Sequence, residues 1–187
     1  MIVSYYFLSN MEGLFHVHSS YSADGRLSLE ELWKEWVKRN LQFMVVTDHA
    51  EDFPPGKAKK FIDHCKKVSD SDFLVVPGLE FNIDREREVH LLVVGLDGLS
   101  CENEPEAILK KVREGKNSAL NVVAHLSRSN HYIPPEYEEK INGIEIWNAA
   151  YNSRYLPGFR ELRICLTNSC HNSQELIDHL KAGKFKI

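Results

Sequence analysis

Along the chain, apolar and polar positions follow two alternating rhythms. Short runs rich in β-branched residues fall at 13–18, 42–47 (QFMVVT), 73–76 (FLVV), 89–95 (VHLLVVG), 119–124 (ALNVVA), 143–147 (GIEIW) and 162–166 (RICLT). Stretches such as FMVV and LLVV are continuous rather than alternating, which predicts parallel strands buried on both faces. Between the first two runs, Leu29, Leu32, Trp33, Trp36 and Val37 recur at helical spacing. Ser28 and Glu31 stand in front of that pattern as a capping box. Residues 57–68 and 104–114 also read as helices, and a last helix starts near Asn172 or Ser173 and carries Leu176, Ile177 and Leu180. Seven strands with mostly helical crossovers predict a parallel α/β protein, without separating an open sheet from a closed barrel.

Length and composition change this picture little. At 187 residues the chain is expected to form a single domain, 1–187, with 1–12 as an N-terminal extension. A formal net charge of -4 argues against a protein that holds nucleic acid mainly by phosphate attraction, yet it leaves room for an anion bound through cations. Cys65, Cys101, Cys165 and Cys170 are scattered without a CxxC pair, the usage expected of reduced thiols in a cytoplasmic protein. No run approaches the roughly 20 apolar residues of a membrane span.

The histidines carry the chemistry. In GLFHVHSSYSADGR, His16 and His18 end the first strand two residues apart, which on a regular strand puts both imidazoles on one face. His49 follows the second strand, Glu80 the third, His125 ends the fifth and His171 follows the seventh. The carboxyl ends of parallel strands share a rim, so these side chains are expected to collect there. His90 begins its apolar run instead of ending it, which requires the loop at 82–88 to run over the rim. Imidazole and carboxylate suit zinc, manganese and iron, and a glutamate among histidines can bridge two cations through its two oxygens. Asp24 adds a further carboxylate. His64 and His179, inside predicted helices, are left out, while His131 lies in a loop near the rim.

The motifs HVHSSYSADG, TDH at 47–49, PGLE at 77–80 followed by His90, and AH at 124–125 resemble the PHP (polymerase and histidinol phosphatase) family, from Phe15 to about His171. That resemblance implies a distorted (β/α)7 TIM-like barrel with two or three divalent ions (Zn, Mn or Fe) at its carboxyl rim. It further implies that His16, His18 and Glu80 hold the first ion, that Glu80 bridges to a second held with His90 and His125, and that Asp24, His49 and His171 hold a third. The departure is in the last motif, where the family has Asp two residues before the final His; this chain reads TNSCH, with Ser169 at that place and Asn168 beside it. Losing that carboxylate is expected to weaken the first ion.

The activity so implied is hydrolysis of a phosphoester, a small phosphorylated metabolite or nucleotide, by a hydroxide held between cations. His171 is the candidate proton donor to the leaving group, and Arg128 the candidate grip on a phosphate oxygen. Arg26, Arg154 and Asn148 are further rim candidates, Ser19 and Tyr21 line the first loop, and Asp48 is expected to orient a neighbour. Two alternatives stand beside this reading. One is a nuclease that trims oligonucleotides with the same centre. The other is a metal-binding module whose catalysis is impaired by Ser169. Neither the substrate, the choice of metal nor the oligomeric state is legible in the sequence.

Overall fold

The computed structural model describes residues 12–54, 56–95, 105–116 and 119–145. The expected strand at 162–166 and the last helix lie outside the described residues, as do Asn148, Arg154, Ser169, His171 and His179. Among the described residues six strands form one sheet in sequence order: β1 (Gly13–Val17), β2 (Phe43–His49), β3 (Leu74–Asp84), β4 (Val89–Val94), β5 (Leu120–Ala124) and β6 (Gly143–Ile144). Helices α1 (Leu29–Val37) and α2 (Lys57–Val68) make the first two crossovers; α3 (Pro105–Arg113) precedes β5, and the single turn α4 (Pro135–Glu138) precedes β6. The expected capping box closes α1: Ser28 Oγ accepts from the Glu31 N–H at 3.2 Å, and Glu31 Oε2 accepts from the Ser28 N–H at 2.8 Å.

The expected all-parallel sheet is corrected at β4. Pairs β1–β2, β2–β3 and β5–β6 are parallel, but β4 runs antiparallel to both β3 and β5. Strand β3 continues well past the apolar FLVV, through the site residue Glu80 to Asp84, and returns by a short turn instead of a helix. The Asp84 carboxylate holds that turn, accepting from the backbone N–H groups of Glu86 and Arg87, each at 3.1 Å. A strand of reversed direction starts where its neighbours end. His90, the second residue of β4, therefore lies at the same rim as the carboxyl ends of β2 and β3.

Strand alternation sorts the side chains into two layers. Met44, Val46, Val75, Leu79, Phe81, Leu91, Val93 and Val123 pack against the helices, which contribute Leu29 and Leu32, Phe61, Ile62 and Cys65, and Ile108, Leu109 and Val112. Cys65 is a free, buried thiol. Val45, Leu92, Val94, Val122 and Ala124 form a second apolar cluster on the opposite face, with Phe43 and Val76 against it. Continuous apolar runs thus reflect burial on both faces, as expected, even though the sheet is mixed.

The sheet is strongly curled. Six flat strands would place β1 and the β6 edge about 24 Å apart, at about 4.8 Å per step. Instead, His16 of β1 and Glu145, the residue directly after β6, are joined at 2.9 Å. The face that carries Glu80 and the Val45–Leu92–Val122 cluster is therefore concave. Among the described residues no helix is long and apolar enough to cross a membrane.

Candidate metal centre

Strand β1 departs from a regular strand where the chemistry begins. Its register with β2 shifts between Leu14 and Val17, and His16 has φ of 64°, the left-handed region that non-glycine residues seldom occupy. Simple alternation, expected to place His16 and His18 on one side, is therefore not how the two meet. The bulge turns His16 inward, and His18 lies one residue beyond the end of β1; their ring centroids are 5.2 Å apart.

The loop after His18 is folded tightly onto the end of β2. Asp48, fully buried, accepts from Ser19 N–H at 2.7 Å and from Ser19 Oγ–H at 2.6 Å, while Ser22 Oγ accepts from the His49 N–H at 2.7 Å. Burial pushes the Asp48 carboxyl upward against these bonds. Asp48 thus orients the loop, as expected, and does so from behind the site. A side chain at Gly25 would place Cβ only 1.8 Å from the Ser19 carbonyl oxygen, so glycine is required there. This fold carries Asp24 over the two histidines: its Oδ1 is 3.3 Å from His18 Nδ1 and its Oδ2 is 3.4 Å from His49 Nε2.

Glu80 is the hub. Only 1 % exposed, its carboxylate divides five imidazoles between its two oxygens. Oε1 meets His90 Nδ1 at 2.5 Å and His125 Nε2 at 3.1 Å. Oε2 meets His16 Nε2 at 3.0 Å, His18 Nε2 at 3.1 Å and His49 Nδ1 at 3.6 Å. Residues from β1, β2, β3, β4 and the end of β5 are thereby gathered around one buried carboxylate. His125, like His16, has positive φ (26°), so backbone strain clusters where two strands deliver their rings.

Burial alone would raise the Glu80 carboxyl, but hydrogen bonds from His125, His16, His18 and His90 hold it well below the usual carboxylate range. Burial would likewise lower His16, yet Glu145 and Glu80 together push it up to about 10. At His125 burial prevails over the attraction of Glu80, and the imidazole stays below its ordinary value.

The donor set fits divalent cations. Ligand atoms of His16, Glu80 and His125 all lie within 4.8 Å of one another, as do those of His18, His49 and Glu80. Four ligands around a small ion at 2.0–2.1 Å sit about 3.4 Å apart, close to the nitrogen–oxygen spacings seen at Glu80. Nδ1 of His18 and of His49 are buried without a well-formed hydrogen bond, with carboxylate oxygens at 3.3 and 3.6 Å. Such groups carry an energetic cost that a cation would remove.

Other expected residues fall elsewhere. Arg128, in the 3-10 turn after β5, pairs at 2.8 Å with Glu88 of the β3–β4 turn. His131 follows in the same segment with φ of 61°, and Arg26 is exposed. His64, set aside in the sequence, joins Glu30 at 2.7 Å and Tyr21 Oη at 3.1 Å, tying α1, α2 and the first loop together. His171 and Ser169 lie outside the described residues. Glu145 was missed: it lies within a short apolar run, and only its alternation with Ile144 and Ile146 could have signalled an inward carboxylate.

Comparison with known proteins adds three findings. The model of the PHP domain matches residues 15–177. The DNA polymerase/3'-5' exonuclease PolX of Bacillus subtilis (strain 168) is 24 % identical over 138 residues, covering 63 % of this chain and 24 % of that protein. A crystal structure from Bacteroides vulgatus ATCC 8482, of a two-domain protein containing a predicted PHP-like metal-dependent phosphoesterase, superposes with a TM-score of 0.50 and 19 % identity. That match covers 73 % of this chain and 44 % of the other. The chain thus spans about a quarter of the curated relative, and the structural likeness speaks for the fold.

Proposed function

The chain belongs to the PHP domain family, and from that premise we propose that it hydrolyses phosphoesters at a centre of two or three divalent cations built around Glu80. The observation that carries this reading is the division of five histidines between the two oxygens of one buried carboxylate. The family pattern assigns His16 and His18 with Glu80 to one ligand set and His90 and His125 with Glu80 to a second, whereas the ligand atoms within 4.8 Å of one another pair His16 with His125 and His18 with His49 around Glu80. Asp24 and His49 belong to a third, which His171 would complete. Bound there, divalent cations neutralise a phosphate and bring a water molecule's pKa toward neutrality.

The chain's own residues do the rest. Histidines fixed by Glu80, Asp24 and Glu145 hold the ligand nitrogens in place, and the apolar cluster of Val45, Leu92 and Val122 lies on the same concave face. Arg128 would exchange Glu88 for a substrate oxygen, since an arginine fork binds either carboxylate or phosphate. The substrate in this reading is a small phosphorylated metabolite or nucleotide. Zinc, manganese or iron would serve, because all accept these ligands.

Metal analysis of the purified protein, followed by a phosphoester panel assayed with each added metal, tests the proposal. Bound divalent metal and metal-dependent turnover are expected; less than one ion per chain with no turnover under any condition would end it. A second reading, exonucleolytic trimming of oligonucleotides, is favoured by the likeness to PolX. Release of mononucleotides from the 3' end of an oligonucleotide, faster than hydrolysis of any small ester, would replace the first reading with it. Ser169 sets the scale of activity: Ser169→Asp is expected to tighten metal binding by at least about tenfold, as other changes around metal ligands do. If the wild type is inert and only this variant turns over, the chain is an impaired metal-binding module.

A further inference from the structure

We infer that Glu145 is a positioning residue of the centre, whose carboxylate fixes the His16 ring so that Nε2 alone faces Glu80 and remains the nitrogen offered to a cation. This rests on the reading that the Glu80 cluster holds divalent cations, and it concerns a residue outside the family motifs quoted above. Glu145 approaches His16 from behind. Its Oε1 lies 2.9 Å from Nδ1, on the side of the ring opposite the Nε2 that meets Glu80 at 3.0 Å. A carboxylate oxygen can only accept there, so Nδ1 carries a proton directed at Glu145 and keeps it when a cation takes Nε2. An imidazole held in that way has a single nitrogen to offer for a ligand bond, because the Nδ1 proton stays engaged when the Nε2 proton gives way to an ion.

Glu145 does this twice over. Its Oε2 accepts from the backbone N–H of His125 at 2.8 Å, so one carboxylate grips both residues that take positive φ in the centre. Their rings stack at 5.7 Å between centroids. Bulged backbone at His16 cannot orient the ring by strand geometry, and a buried acceptor is what replaces it. The side chains of His16 and Glu145 are 3 % and 7 % exposed, so solvent does not compete for the bond.

The test is zinc affinity of the full chain, measured by chelator competition for wild type, Glu145→Ala and Glu145→Gln. It is read together with the imidazole 15N spectrum of the zinc-loaded forms. Glu145→Ala is expected to bind zinc roughly 10–100-fold more weakly, with His16 losing its single Nδ1–H tautomer. Glu145→Gln keeps the shape but only one carbonyl acceptor for two donors, so its affinity and tautomer should fall between wild type and alanine. Unchanged affinity in Glu145→Ala would overturn the inference, as would a glutamine variant no better than alanine. A wild type that binds none of zinc, manganese or iron(II) overturns the metal-centre reading itself, an outcome visible without any variant.

Discussion

At the scale of single residues, the contacts of His16 with Glu145 and Glu80 set a pH dependence whose sign follows from the upward shift of the imidazole. Against burial, Glu145 first and Glu80 second raise His16, and the part shared with Glu80 also lowers that carboxyl, so it counts once. Because the His16 value rises from 6.5 to about 10, its contribution to the metal-free fold is complete below pH 6.5 and fades as pH climbs toward about 10. A cation at Nε2 must displace that proton. Zinc affinity should accordingly rise by about tenfold per pH unit for one proton released, and calorimetry in buffers of different protonation enthalpy should report the release. Heats independent of the buffer would contradict it. Most of these residues were legible in the sequence, because imidazoles at strand ends share a rim whatever the details of the strands. Glu145 was not, because a lone carboxylate in a short apolar run carries no spacing that sets it apart.

Elements were legible where a local rule fixes them. Helix α2 falls at Lys57–Val68 as its periodicity predicts, and α1 starts at the capping box. Ser28→Ala should cost about 1 kcal/mol in chemical denaturation, since the Oγ acceptor for the Glu31 N–H is lost at an exposed helix start while the backbone bond to Glu31 remains. No change would mean the cap is idle. Strand β3 was foreseen only to residue 76, because beyond it the apolar run is broken by Pro77 and Gly78, and the residues that continue it, LEFNID, bear the site. The bulge in β1 was equally hidden: one extra residue in a strand leaves no mark on hydrophobic alternation as short as this. The first loop gives a sharper test. Gly25→Ala must push Cβ against the Ser19 carbonyl, at a cost of about 1–3 kcal/mol. The displaced loop should also loosen Asp24 from His18 and His49, which zinc titration would register; an unaltered melting temperature would refute the packing argument.

For the whole molecule, direction was the part the sequence concealed. Continuous apolar runs show burial on both faces, which parallel and antiparallel strands share, so reversal at β4 was invisible except through the misplaced His90. Curling was invisible too, since it follows from the summed twist of six strands. Its consequence lies in the order of assembly. Glu80 and His90 are 10 residues apart in the chain, whereas His16 and Glu145 are separated by 129. Closing the longer loop costs about 2 kcal/mol more chain entropy than closing the shorter one. The hairpin half of the pocket should therefore persist through fluctuations that release the seam between β1 and β6. Amide hydrogen exchange in the metal-free protein should find β1 and β6 opening well before β3 and β4, with zinc narrowing that gap.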